Sequence, residues 1–192
     1  MTFDKLADRC LLFIEERKQM IIELLKEAEL EMTRKVNIYE DTRNYVCSGE
    51  SSYGLPSNFK QIILLQHDGE KLFPTSESEV AFNTDNDVDS GIPTTFYLRN
   101  NSIFLDTKPG SGKMMLSYYG TVDGLQDLSS DPSPIIPSLY HRDLCDYAIA
   151  IASAKLDPNL HTKHWQVWLS SLEAIKNEDA DRELIHSIRR EI

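Results

Sequence analysis

The chain has 192 residues, 41% hydrophobic and 27% charged, an ordinary balance for one good core or two small ones. A formal net charge of −11 excludes general attraction to nucleic-acid phosphates. No run approaches the ~18 consecutive apolar residues of a membrane span, so no spanning helix and no membrane contact is expected.

The N-terminal stretch MTFDKLADRC lacks the basic, then apolar, then small-residue order of a secretion signal, which points to a protein that stays in the cytoplasm where it is made. From residue 3 to about 34, Leu6, Cys10, Phe13, Ile14, Met20, Ile21, Leu24, Leu25 and Ala28 recur at three- and four-residue steps. Glu16, Arg17, Glu23, Lys26, Glu27 and Glu31 fill the other face, and no Gly or Pro interrupts. The pattern predicts one continuous helix of about 45 Å. That is longer than a small globule needs, and so suits contact with a neighbouring subunit as well as a core.

Residues 40 to about 134 hold most of the glycines and prolines and read as antiparallel β structure. Asp68-Gly69 in IILLQHDGEKLF and Asn100-Asn101 in TTFYLRNNSIFLD are hairpin signals, because both pairs tolerate the left-handed conformation of a tight turn. Strands over 94–99, 102–107 and 113–119 are predicted to form a three-stranded meander. Between the hairpins, TSESEVAFNTDNDVDSG is an exposed acidic loop. Asp85, Asp87 and Asp89 imitate the start of a calcium loop. Ser90 stands where that loop needs Gly and Phe96 where it needs Glu, so a solvated loop without metal is expected.

The stretch KPGSGKMMLSYYG looks like half a phosphate-binding loop. Thr107 occupies the position of its first Gly and Met114 that of its Mg²⁺-binding hydroxyl, and a strand-like run follows where a helix is needed. It reads as a turn between strands. The stretch SSDPSPIIP, 129–137, is a linker by composition, after which helices return. Ser138 is placed to cap a helix with Leu139, Leu144, Tyr147, Ala148, Ile151 and Ala154 on its apolar side. Asp157-Pro158 matches a cap residue followed by Pro at the first helical position, opening a helix that carries Trp165, Trp168, Leu169, Leu172 and Ile175. Trp165 and Trp168 read as packing between helices. Residues 178–192 are charged, with Leu184, Ile188 and Ile192 at four-residue steps and Arg182, Arg189 and Arg190 around them. An apolar stripe edged by arginine is what a docking helix presents to a partner groove.

No catalytic constellation emerges. His67 ends a strand, and His141, His161, His164 and His186 lie on predicted helices as exposed side chains. His161 and His164 are one turn apart, but no third ligand completes a metal spacing, and there is no Gly-x-Ser-x-Gly elbow. Cys10, Cys47 and Cys145 are scattered and odd in number, which suits reduced, buried thiols rather than a disulfide framework or a zinc site. No catalytic residue, cofactor or metal is expected.

Four stretches, in this order, are similar to bacteriophage head-to-tail adaptors of the tail tubular protein A type. They are Leu55-Pro56-Ser57-Asn58-Phe59; Tyr97-Leu98 with Asn101, Ile103 and Leu105; Leu116-Ser117-Tyr118-Tyr119; and Ile136-Pro137-Ser138-Leu139-Tyr140-His141 with Leu144 and Tyr147-Ala148. Asn58 replaces the usual acid, and Asp106-Thr107-Lys108 delays a proline that often follows the hairpin. The resemblance implies an α+β fold: a helical domain from both chain ends, 1–38 and 138–177, an inserted antiparallel β-sandwich or barrel-like domain, 39–137, and a C-terminal docking segment, 178–192. It implies a virion structural protein of the phage neck, in a ring of about twelve copies. The ring would bind the portal protein above and a tail nozzle or other tail protein below, with double-stranded DNA passing through unbound. Residues Arg182, Leu184, Ile188, Arg189, Arg190 and Ile192 would meet the portal. The alternatives are another neck or tail-completion protein, such as a tail terminator, and an enzyme with an unrecognised site.

Overall fold

The computed structural model describes residues 1–79, 90–122 and 133–188, with the backbone alone at 179 and 181–188. The fold is mixed α+β, with helices and two sheets. It divides into two compact units, Met1–Tyr39 with Gly120–Ile192, and Glu40–Tyr119. The described residues from Gly120 onward thus group with the helices.

The first unit opens with α1, Phe3–Cys10, whose first turn is capped by the Thr2 hydroxyl accepting from Lys5 N at 3.3 Å. The predicted single helix does not form. Leu12 N and Phe13 N turn back to Arg9 O and Cys10 O, and α2 starts only at Lys18, running to Lys35. The reason is tertiary. One straight rod would carry half of its apolar stripe away from the core, whereas a helical hairpin buries both halves. Phe3, Leu6, Ala7 and Cys10 of α1 and Ile21, Leu25, Ala28 and Met32 of α2 are all fully or almost fully buried in one cluster. Packing of an amphipathic face, rather than local propensity, decides where such a helix stops. Lys18 Nζ fastens the hairpin on its outer side, 2.9 Å from Asp4 Oδ1 and 2.6 Å from Asp8 Oδ1.

The same core takes α3, His141–Ser153, and α4, Pro158–Ile188. Ser138 does not cap α3. It opens a single 3-10 turn, Ser138–Tyr140, that has no side-chain cap bond, and α3 begins at His141. Asp157 does cap α4, its Oδ1 accepting from Asn159 N at 3.1 Å and Leu160 N at 3.0 Å, with Pro158 at the first position. Trp168 is fully buried and meets Tyr147 edge-on, ring centres 5.1 Å apart, while Trp165 lies tilted against the same ring. Truncating an aromatic so placed typically costs about 3–5 kcal/mol. The backbone of α4 continues without a break through 178–188, where the sequence suggested a separate short segment.

Two polar residues on the inner face of α2 hold the returning chain. Glu29, fully buried, accepts from Ile135 N at 2.6 Å and Ile136 N at 3.0 Å. The Thr33 hydroxyl accepts from Val122 N at 3.3 Å. The end of the predicted linker is therefore part of the core, and Ile136 is buried in it.

The second unit has two four-stranded sheets. One runs in the order β1 (Glu40–Val46), β8 (Lys113–Gly120), β3 (Phe59–His67), β4 (Glu70–Lys71). The other runs β2 (Ser52–Gly54), β7 (Ser102–Leu105), β6 (Thr95–Arg99), β5 (Phe73–Pro74). Both predicted hairpins are present. Asp68 and Gly69 take φ of 49° and 89°, and Asn100 and Asn101 take 47° and 60°. These are the left-handed values that a two-residue turn needs.

The predicted meander is not. Strand β8 leaves the β6–β7 hairpin for the opposite sheet and pairs antiparallel with β1 from Glu40↔Tyr119 to Val46↔Lys113. Nor is the unit wholly antiparallel, since β5 and β6 pair parallel and Ser90 bridges Lys108 parallel. The crossing is built by residues 106–112. The Asp106 carboxylate closes the hairpin, taking Thr94 N at 3.1 Å and Thr95 N at 3.2 Å. Pro109 O and Gly112 O then accept from Gly49 N and Cys47 N on the other side. Met114, Leu116 and Tyr118 alternate inward from β8 and join Phe96, Ile103 and Leu105 of the facing sheet in one buried cluster.

Asn58, where the resembled family has an acid, is buried beside the Tyr118 hydroxyl at 3.0 Å, with Asp41 Oδ2 at 2.9 Å from the same oxygen. A phenol donates once. Asn58 Oδ1 faces the hydroxyl and the amide nitrogen is buried without a partner among the described residues; with the hydroxyl donating to Asp41, a flip of the amide would supply the matching N–H₂ donor. An acid at 58 would set two carboxylates against a single hydroxyl proton.

Candidate functional site

The Gly110–Lys113 stretch was the sequence's nearest approach to a nucleotide site. Its geometry is that of a joint. Lys113 N donates to Asp68 Oδ1 at 2.8 Å, and Asp68 N donates to Lys113 O at 2.9 Å. His67 Nε2 lies 3.2 Å from Ser111 O. A carboxylate of the chain itself thus takes the amide that a phosphate would need, and β8 follows in place of a helix. Gly112 has φ of 116°, and a Cβ there would lie 2.5 Å from Asp68 Oδ2.

The histidines correct the expectation of exposed side chains. On the helices, His141 and His164 are buried and His161 is half-buried, while His67 ends β3 as expected and is buried there. Burial is tolerated because a ring nitrogen of each meets an acceptor. His141 Nε2 lies 3.1 Å from Ile136 O, His161 Nδ1 2.8 Å from Ala150 O, and His164 Nδ1 2.6 Å from Asp146 Oδ1. Burial pushes the His141 imidazole below its usual value, partly opposed by the Ile136 carbonyl. His161 and His164 face different partners, and among the described residues no three side chains of metal-ligating type come together. The side chain of His186 lies outside the described residues.

All three cysteines are free and buried. The Cys10 thiol is pushed up by its hydrogen bond to Cys145 and by burial. Cys145 Sγ also contacts Leu6 O at 3.9 Å. The same bond to Cys10 lowers Cys145 from its usual value, against burial, and all three side chains pack as small buried residues.

Asp85, Asp87 and Asp89 fall outside the described residues. Phe96, the residue at the calcium loop's Glu position, is a buried strand residue of β6. Of the expected portal contacts, Arg182, Leu184 and Ile188 lie on the last turns of α4, where Leu184 and Ile188 share one face by their spacing. Arg189, Arg190 and Ile192 lie outside the described residues.

One feature escaped sequence reasoning. A cavity of about 420 Å³ in the helical unit is lined by Arg9, Leu12, Phe13, Arg142, Asp146 and His164, among others. Asp146 and His164 are buried there as a pair, 18 residues apart in sequence. The signal was an acid inside the apolar run LCDYAIAIA, which only a partner from another helix makes tolerable. The break after α1 brings Leu12 and Phe13 to the cavity, where they are exposed.

No described helix is long and apolar enough to cross a membrane. A search of curated proteins found no match. The family model described as SU10 adaptor protein matches residues 1–190. With nearly the whole chain inside that match, the protein belongs to the SU10 adaptor protein family and is a phage adaptor, a structural component of the virion.

Proposed function

We propose that the protein is a head-to-tail adaptor of the tail tubular protein A type. Copies form a ring of about twelve beneath the portal. The ring closes the filled head, offers a platform to a nozzle or other tail protein, and leaves a channel for DNA. The observation that carries this reading is the family match over residues 1–190. Two further observations support it. Residues from both chain ends share one buried helical cluster, and the two sheets between them share another, as expected for an inserted sandwich-like domain. The net charge of −11 keeps the phosphate backbone from sticking as DNA passes.

The C-terminal residues from about 178 are the docking segment in this reading. The apolar stripe through Leu184, Ile188 and Ile192, edged by Arg182, Arg189 and Arg190, enters a groove on the portal. Electron cryo-microscopy of phage particles tests both parts. A ring of copies between portal and tail is expected, and one copy per particle, or none, refutes it. A chain truncated after Asn177 is expected to keep its melting temperature and to lose portal attachment. Unfolding, or normal attachment, removes the docking role. Binding to tail tube in place of portal would make the protein a tail terminator.

A further inference from the structure

The cavity beside α1, α3 and α4 has a chemistry unlike the chain as a whole. The sequence carries 20 Lys and Arg against 31 Asp and Glu, yet two arginines, Arg9 and Arg142, line this one hollow. Beside them Leu12 is 80% and Phe13 59% exposed, large apolar side chains left open to water on the α1–α2 loop. On its buried side stands Asp146, 6% exposed. Asp146 Oδ1 accepts from His164 Nδ1, while its Oδ2 is buried and has no hydrogen-bond partner among the described residues.

These features select an occupant. Guanidinium groups pair with carboxylates through two parallel hydrogen bonds, so the arginines favour an acid. Leu12 and Phe13 gain in proportion to the apolar area they remove from water, so they favour an apolar neighbour. The orphan carboxylate oxygen favours an N–H or O–H donor, because a buried acceptor left without a partner is costly. A DNA phosphodiester backbone answers the arginines but brings only acceptors to Asp146, and inorganic phosphate, which can donate an O–H, offers nothing apolar to Leu12 and Phe13. A stretch of polypeptide with acidic and apolar side chains answers all three demands, since its backbone supplies N–H donors. The copies of this chain are themselves rich in such stretches, with a formal charge of −11 each.

We propose that this cavity is a socket in which each copy receives an acidic, apolar-containing segment of a neighbouring copy, an inference that rests on the ring reading above. The socket exists because the first helix breaks after Cys10. A continuous helix would have kept Leu12 and Phe13 on its own shaft.

The test places p-benzoylphenylalanine at position 13 of the full chain in phage particles. After irradiation, mass spectrometry identifies the captured peptide, while electron microscopy of the same particles shows whether rings are present. The expected capture is an acidic peptide of a second copy of this chain. With Arg142→Glu added, its yield is expected to fall at least tenfold, although the purified variant melts with the wild type. Capture of a portal or tail peptide, or no capture in particles that contain rings, overturns the socket and leaves the ring reading intact. An undiminished yield with Arg142→Glu overturns the charge argument and the proposal with it. Particles without rings refute the ring reading, and the socket falls with it.

Discussion

Two breaks in the chain make an instructive pair. At residues 108–112 the β unit turns through Pro109, Gly110 and Gly112 into β8, and the turn is written in residue types. At residues 11–17 the helical unit turns between α1 and α2 through LLFIEER, with no glycine, proline or asparagine. The first break is forced by local backbone chemistry. The second is forced by what lies against it, since a helix with apolar residues along its whole length folds back once a core is available on one side. Local turns tolerate little change in the turn residues. Breaks imposed by packing tolerate change in the loop but not in the buried groups around it.

The largest expected effect tests the local half of that contrast. In Gly112→Ala the backbone stays near φ of 116°, where L-residues are strained, and the new Cβ meets Asp68 Oδ2 at 2.5 Å and His67 Nε2 at 2.8 Å. His67 is buried and Asp68 is fixed by its bond to Lys113 N, so neither withdraws freely. Steric strain and a broken joint together are expected to cost about 3 kcal/mol or more in urea unfolding. A loss below about 1 kcal/mol would show that this turn, too, is held by its surroundings.

The second effect tests the helical unit, where packing and buried polar bonds rather than turn residues hold the chain. Glu29→Ala leaves the buried Ile136 N and the part-buried Ile135 N without their acceptor, the second costing less than the first. Each unsatisfied buried donor costs about 1–3 kcal/mol, so a destabilisation of about 2–4 kcal/mol is expected. Glu29→Gln keeps a carbonyl oxygen for both and is expected to lose about half as much. Equal losses for the two variants, measured by thermal unfolding, would mean that the charge of Glu29, rather than its acceptor geometry, secures the returning chain.

The same contrast explains what the sequence made legible. Asp68-Gly69, Asn100-Asn101 and Asp157-Pro158 name their turns and caps because each needs a special backbone angle or a short-range hydrogen bond. The buried Trp168 and half-buried Trp165 were legible from helical spacing. The destination of β8 was not, because alternation in KMMLSYYG states that one face is buried but not which sheet buries it. The Asp146–His164 pair was hidden for a similar reason. An acid on α3 and a histidine on α4 become partners only once the helices pack, and so the cavity that they line left no motif.

The smallest expected effect returns to the lysine that gave the Gly-Ser-Gly-Lys turn its nucleotide-site appearance. Lys113 uses its backbone, donating from N to Asp68 and accepting at O from Asp68 N, and its side chain stands exposed at the first residue of β8. Alanine retains both backbone bonds and the strand conformation. Lys113→Ala is therefore expected to change stability by less than about 0.5 kcal/mol, as surface substitutions usually do. Titration calorimetry with Mg-ATP is expected to show no binding to either protein, because Asp68 already occupies the Lys113 amide and would repel an incoming phosphate. Saturable ATP binding by the wild type that disappears in Lys113→Ala would overturn the reading of this turn as a joint. It would also place the local chemistry of the glycine-rich stretch in the service of a ligand instead of the fold.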